Sequence, residues 1–386
     1  MPYNSFEELE VYKSAEENMK TPNKLNQHSQ LNQHSQHNQP NQLSQLRICT
    51  NCILPDTFPG INFNAEGICN HCQKFDGKES KLLEDKRKYE QKFFDLLNQL
   101  INQSTNQRSY DILMAYSGGK DSTYTLILLK NKYKLRILAV TFDNGFISET
   151  AISNIKNVTD KLGLDHIFFK PKWKLLKRIF SVAAERELYP KKTLERASTI
   201  CTSCMGIVKS ICLKMAIEMD IPMIGYGWSP GQAPVQSSIM KNNPSLIKMA
   251  QQTILNPLHE VAGEEINTYF LQEKHYLQAD RFPYNVHLMA WEFYDEDVML
   301  DEIKKYGWIA PKDTDSNSTN CLLNAFANEV HIKRYGFHPY AWEIANMVRQ
   351  GIMTREEGMR KFVEVPTIEQ NNLVKKRLGI GNSPTS

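Results

Sequence analysis

The chain lacks a long hydrophobic run, a strong net charge and a basic-then-apolar start, and each lack removes a class of protein. No apolar stretch approaches the roughly 20 residues that span a bilayer, so membrane insertion is not expected. Lys and Arg number 46 against 43 Asp and Glu, a balance of +3. That surplus is too small to point to nucleic acid or an anionic membrane. Glu7, Glu8 and Glu10 stand where a secretory signal would be basic and apolar, which predicts a cytoplasmic protein. In that compartment eight cysteines read as metal or redox ligands rather than disulfides. The rest is ordinary: 41% hydrophobic and 23% charged residues suit a globular protein with ample material for a core.

The Gln/Asn/Ser tract from about Thr21 to Leu46 repeats LNQHSQ in tandem at Leu25–Gln30 and Leu31–Gln36. It offers too little apolar surface to offset chain entropy, so disorder is expected over 1–46. Cys49, Cys52, Cys69 and Cys72 then form C-x₂-C-x₁₆-C-x₂-C. Two such knuckles suit a tetrahedral Zn²⁺ with a closed, structural ligand set. His71 lies inside the second knuckle as a spare donor. A zinc ribbon is therefore expected over 47–78, followed by a helical linker over 79–109.

From 110 to 310 strand and helix patterns alternate. Strands are expected at Ile112–Tyr116, Ile137–Phe142, Asp165–Phe169 and Met223–Tyr226, with helices at Ser122–Lys132, Glu149–Leu162 and Gly206–Met219. The alternation predicts an α/β fold with a doubly wound parallel sheet, whose ligands gather at the strands' C-terminal ends. A helical segment is expected over 311–365, including Ala341–Arg349 and a capping box from Thr354 to Glu357 that opens a helix to Phe362. A tail over 366–386 ends the chain.

Ser117-Gly118-Gly119-Lys120-Asp121-Ser122 joins the first strand to its helix. A Gly-Gly turn at a helix start presents backbone N–H groups to an anion. Lys120, Ser117 and Ser122 add donors, so the hexapeptide reads as a nucleotide-phosphate site. It is not a Walker loop, which needs a hydroxyl directly after the lysine; Asp121 stands there. Asp143, ending the second strand, is a candidate for ribose or adenine contact, and Gly225 opens a glycine-rich loop, Gly225–Gln232, at the fourth. Cys201 and Cys204 form a CxxC at a helix start, with Cys321 as a distant third thiol. Three cysteines with an open fourth position are candidate ligands of an iron–sulfur cluster, and inert thiols are the alternative. His338 is a candidate proton shuttle or a locally bonded histidine.

Ser117–Ser122 resembles the pyrophosphate loop (PP-loop) of the N-type ATP pyrophosphatases, of the adenine nucleotide alpha hydrolase-like superfamily. With Cys49–Cys52, Leu54-Pro55-Asp56-Thr57, Gly60-Ile61-Asn62-Phe63, Cys69–Cys72 and the stretch Val348–Glu357, the chain from Cys49 to Lys361 resembles the N-acetyl sugar amidotransferase branch of that family. The resemblance implies ATP with Mg²⁺, and Lys120, Asp121 and Ser122 as the catalytic group. A carbonyl oxygen of an N-acetyl sugar would be adenylated and replaced by nitrogen from a glutaminase partner, in surface-polysaccharide synthesis. Cys201, Cys204 and Cys321 depart from that pattern. They resemble the cysteines of cluster-dependent tRNA thiolases on the same nucleotide domain, which implies sulfur transfer, with a sulfur-donor partner and a small molecule or tRNA as acceptor. The net charge of +3 argues against tRNA. A non-enzymatic, ATP-sensing zinc-ribbon adaptor is a third reading.

Overall fold

The computed structural model describes residues 46–103, 108–315, 317–363 and 367–381; the segment expected to be disordered, 1–46, lies outside them but for its last residue. Six strands form one sheet in the order β3-β2-β1-β4-β6-β5. They are β1 (Ile112–Ala115), β2 (Ile137–Phe142), β3 (Asp165–Phe169), β4 (Met223–Tyr226), β5 (Ile239–Lys241) and β6 (Tyr284–Val286). All neighbouring pairs run parallel except β5 with β6. The expected parallel sheet is therefore present, with an antiparallel edge whose three-residue strands are too short to announce themselves in sequence.

The helices are α1 (Asn70–Phe75), α2 (Glu79–Gln103), α3 (Lys120–Asn131), α4 (Glu149–Leu162), α5 (Trp173–Glu185), α6 (Thr199–Glu218), α7 (Pro244–Ala262), α8 (Glu273–Tyr276), α9 (Glu296–Lys304), α10 (Leu323–Tyr335), α11 (Ala341–Arg349), α12 (Arg355–Phe362) and α13 (Ile368–Leu378). Alternation along the central strands sorts the core into two layers. Ile112 and Met114 of β1 and Ile137 and Ala139 of β2 pack against α2, α3 and α4. Leu113, Leu138, Val140 and Ile224 pack on the other face against Cys212, Leu213, Ala216 and Ile217 of α6. α2 is thus a layer of the core, through Phe93, Leu96 and Leu97, rather than a mere linker.

Two expectations need revision. α6 is 20 residues long with a mean hydropathy of 1.6, long and apolar enough by composition to cross a membrane. Its apolarity has a local cause, because it is pressed between the sheet and α5, α7 and α10. The segment 366–386, expected as a tail, contains α13, which starts from a capping box of Thr367 and Gln370. Only Val374 and Leu378 of that helix are buried, so its periodicity is faint.

The ribbon is not a free appendage. Ile53, Leu54 and Phe58 join Phe337, Ile344 and Phe362 in one apolar cluster. Arg355, the first residue of α12, donates through Nε to Cys52 O at 3.0 Å and through Nη2 to Cys49 O at 3.1 Å. Replacing Arg355 by Ala strands two carbonyls that a guanidinium now satisfies. We expect a loss of about 1–3 kcal/mol, measurable as a shift of the denaturant midpoint without a change in slope.

Candidate active site

The strand order reverses between β1 and β4, and the loops that follow these two strands face each other there. Such a crevice is where open α/β sheets take their ligands. Residues 117–119 turn the chain from β1 into α3, with Gly118 at φ +78. A Cβ on Gly118 would stand 2.6 Å from Ile155 Cγ1, and one on Gly227 2.3 Å from Ser122 Cα. Gly118 is needed for the phosphate loop to lie against α4, and Gly227 for the loop after β4 to approach Ser122 this closely. Ser117 Oγ lies 3.0 Å from Ser122 Oγ, and Ser122 Oγ donates to Gly119 O at 3.0 Å. The loop is held from behind by Trp308, whose Nε1 donates to Gly118 O at 3.0 Å.

Lys120 is only 8% exposed. Its Nζ donates to Asp121 Oδ1 at 3.1 Å and to Tyr294 Oη at 3.0 Å, with Glu296 at 3.9 Å. Burial alone would depress its pKa. The negative charge of Asp121, with Tyr294 and Glu296, outweighs this and holds it well above the ordinary lysine value. Lys120 is thus a fixed cation in the crevice wall. Tyr294 and Glu296 had no signature in the sequence, since they come from the start of α9, far along the chain.

Residues 319–322 enter from the C-terminal segment and pair with 146–148. Ser148 N donates to Asn320 O at 3.0 Å, and Leu322 N to Phe146 O at 2.8 Å. This puts Thr319 Oγ1 3.0 Å from Lys120 N and brings Cys321 beside Cys201 and Cys204 of α6. A cavity of about 300 Å³ is lined by the 117–122 loop, by Cys201, Cys204 and Cys321, and by Gly227 and Glu343. Asn144 Nδ2 donates to Cys321 Sγ at 3.3 Å and to Cys204 Sγ at 3.8 Å; Asn324 Nδ2 lies 3.9 Å from Cys201 Sγ. Amide donors aimed at sulfur favour the thiolate form, whereas burial pushes the Cys201 thiol up to about 12 and raises Cys204 and Cys321 as well. Cys212 lies about two turns beyond Cys204 on α6, packed in the core with Leu113, Val140 and Ile224.

Other candidates fall outside the crevice. Asp143 does not line the cavity; its Oδ1 accepts from Gly145 N at 2.8 Å and its Oδ2 faces Lys170 at 3.5 Å. Gly225 faces the core, where a Cβ would meet Met114 Sδ at 3.0 Å. His338 is buried against Tyr340 and Phe362, away from the cavity, and burial lowers its pKa to about 4. The residues the sequence reading passed over are Asn144, Asn324 and Glu343. Only Asn144, inside Asp143-Asn144-Gly145, carried a local turn signal. Glu343, on α11, accepts from Ser229 and Gln232. Burial raises its carboxyl above the usual range despite those two donors.

The sulfurs of Cys49, Cys52, Cys69 and Cys72 are buried and all lie within 4.8 Å of one another. Cys49 Sγ to Cys72 Sγ is 3.9 Å and Cys52 Sγ to Cys69 Sγ 3.7 Å. A tetrahedron with bonds of ~2.3 Å to sulfur has edges of about 3.8 Å, so the four thiols are spaced for one metal ion. Cys52 N and Cys69 N donate to Cys49 Sγ, and Arg349 Nη1 to Cys52 Sγ at 3.5 Å. These donors offset thiolate charge. His71 stands edge-on to Trp342 at 4.8 Å and is not among the four.

No family model matches the chain. An uncharacterized protein of Methanocaldococcus jannaschii is 24% identical over 308 residues, which cover 80% of this chain and 89% of that protein. A stretch of 73 residues, 19% of this chain, is 33% identical to a glutamine-hydrolyzing GMP synthase of Pyrobaculum aerophilum and covers 14% of it. Among solved structures, the U34-tRNA thiolase NcsA of Methanococcus maripaludis, with its 4Fe–4S cluster, aligns at a TM-score of 0.33 and 17% identity, over 83% of this chain and 90% of that one. NMN synthetase of Francisella tularensis aligns at 0.33 and 11%, over 78% and 99%. Structural overlap this low says nothing about chemistry.

Two outcomes test this geometry. Gly227→Ala forces the loops apart, and we expect a stability loss of about 1–3 kcal/mol, the usual cost of overpacking, in denaturant unfolding. Cys52→Ser is expected to abolish retention of the ion at the four-cysteine site, read as loss of zinc in elemental analysis after dialysis, while Cys212→Ser retains it.

Proposed function

We propose that this protein is an adenylating enzyme of the N-type ATP pyrophosphatase kind, and that the atom it delivers is sulfur. One observation carries the reading: the 117–122 loop and the thiols of Cys201, Cys204 and Cys321 open onto the same cavity. The loop amides and the N-terminus of α3 face the phosphates of ATP with its Mg²⁺. An acceptor carbonyl oxygen attacks the α-phosphorus; that O–P bond forms, the bond to the β-phosphate oxygen breaks, and pyrophosphate leaves. Lys120, fixed by Asp121 and Tyr294, stabilises the charge that builds on the departing group. Ser122 holds the loop's shape through Gly119 O. Sulfide then attacks the activated carbon, forming C–S, breaking C–O and releasing AMP.

The donor set fits an iron–sulfur cluster, with three thiols, two amides directed at them and a lining that opens to the cavity. A 4Fe–4S cluster on Cys201, Cys204 and Cys321 would leave one iron free to bind inorganic sulfide. Asn144 and Asn324 would orient the ligand sulfurs. The four-cysteine ribbon would hold Zn²⁺ in a structural role.

A nitrogen-transfer reading has its own support. The stretch Val348–Glu357 that carries the amidotransferase resemblance is the stretch that grips the ribbon, through Arg349 and Arg355. In that reading ammonia from a glutaminase partner takes the place of sulfide, and an N-acetyl sugar is the acceptor. The adenylation step is common to both.

Anaerobic purification with metal and sulfide analysis separates the two. Sulfur transfer predicts iron and acid-labile sulfide in addition to zinc, lost in Cys321→Ala; zinc without iron sinks it in favour of nitrogen. Lys120→Met is expected to lower acceptor-dependent AMP and pyrophosphate formation about 10²–10³-fold. Tight ATP binding without any such turnover would instead identify an adaptor.

A further inference from the structure

The cavity has a second cation that this chemistry leaves unused. One face of α6 is turned to it, carrying Cys201 and Cys204 and, just over one turn beyond, Lys209. Lys209 Nζ stands 4.5 Å from the centre of the Trp228 ring. Trp228 stacks on His287 at 4.0 Å with an interplanar angle of 11°, and on Tyr226 at 5.3 Å. His287 is buried; burial first, and the Lys209 charge second, lower its pKa to about 3. It is therefore neutral and offers no second cation. Lys209 is an exposed residue of the cavity wall, and desolvation by the protein around its ammonium lowers its own pKa to about 8.

The contrast with Lys120 is instructive. Lys120 has Asp121, Tyr294 and Glu296 around it, and Glu343 feels both Asp121 and Lys120. Lys209 makes no ion pair with any carboxylate among the described residues, and burial is the sole influence on it. Held on the Trp228 ring at the cavity wall, the cation is fixed in place without being neutralised, and its charge is left for a ligand in the cavity to balance.

We propose that Lys209, seated on Trp228, binds an anionic group of the acceptor, a phosphoryl or carboxylate, at a point separate from the ATP phosphates. The inference rests on the adenylation reading only in naming the acceptor as the ligand. Its position supports that source: Lys209 belongs to the cysteine-bearing helix, not to the phosphate loop, and shares no charge interaction with that loop. The acceptor is then an acidic molecule, such as a sugar phosphate, and not a neutral sugar.

The test fills the nucleotide site first. Protein saturated with Mg²⁺ and a non-hydrolysable ATP analogue is titrated with N-acetylglucosamine 1-phosphate and, separately, with inorganic phosphate and neutral N-acetylglucosamine, followed by ³¹P and ¹H line broadening. We expect the two phosphates to bind and the neutral sugar not to. Lys209→Met, which keeps the apolar stem on Trp228, should weaken phosphate binding about ten- to a hundredfold, the range of a charge-assisted contact. Lys209→Arg should restore most of it, and analogue affinity should stay within about twofold in both variants. Absence of phosphate binding to the filled protein, or binding indifferent to Lys209→Met, overturns the proposal. So does a tenfold loss of analogue affinity in Lys209→Met, which would give Lys209 to the nucleotide. If the analogue itself fails to bind the unaltered protein, the adenylation reading falls, and the phosphate titration of the analogue-free protein still decides the role of Lys209.

Discussion

The pairing of residues 319–322 with 146–148 is the contact on which the site depends. Two backbone hydrogen bonds, from Ser148 to Asn320 and from Leu322 to Phe146, dock a late segment of the chain against the loop after β2. That docking sets Thr319 on the backbone of Lys120 and places Cys321 opposite α6. Without it the phosphate loop and the CxxC would still form, each on its own element, but no third sulfur would face them. Asn144, in the loop that receives the late segment, also donates to Cys321 and Cys204, so one turn organises both backbone and sulfur.

The ribbon acts on this arrangement from the far side of α11. Ile344 and Ala345 pack toward the four cysteines, while Glu343 reaches Ser229 and Gln232 in the loop after β4. Asn346 Nδ2 donates to Gly231 O at 2.8 Å, and Arg349 bonds both Asn346 and Cys52. A single short helix therefore ties the metal knuckle to the loop that faces Ser122. The ribbon's place is structural in this sense: it braces the wall of the cavity and contributes no group to it.

Charge within the cavity is distributed unevenly, and the inequality carries chemical meaning. At the phosphate loop, Lys120 is held by Asp121 with Glu296 beyond it; on α6, Lys209 rests on an aromatic stack and makes no ion pair among the described residues. The first arrangement supplies a positioned cation whose protonation does not vary. The second leaves a charge for a ligand to balance. Between them lie three thiols that burial keeps protonated unless something more electropositive claims them.

Much of the fold was legible because its signals are local. β2, β3, β4, α4 and α11 have the bounds expected from apolar periodicity, and Thr354 and Glu357 form the expected capping box. The hexapeptide and the spacing of Cys49, Cys52, Cys69 and Cys72 were likewise readable, since a phosphate turn and a metal knuckle are built from neighbours in sequence. Asp143 and Gly225 illustrate the limit: their residue types and positions at strand ends suited a ligand, but the Asp143 carboxylate accepts from Gly145 N and the Cα of Gly225 presents its open side to the core at Met114. Sequence by itself determined the elements, the loop and the knuckles, because each is fixed by hydrogen bonds and spacings within a few residues. Only the tertiary structure decided that Cys321 meets Cys201 and Cys204, that Tyr294 and Glu296 join Asp121 around Lys120, and that Lys209 makes no ion pair among the described residues. Those facts depend on contacts between residues far apart along the chain, where packing and charge, not local propensity, choose the neighbour.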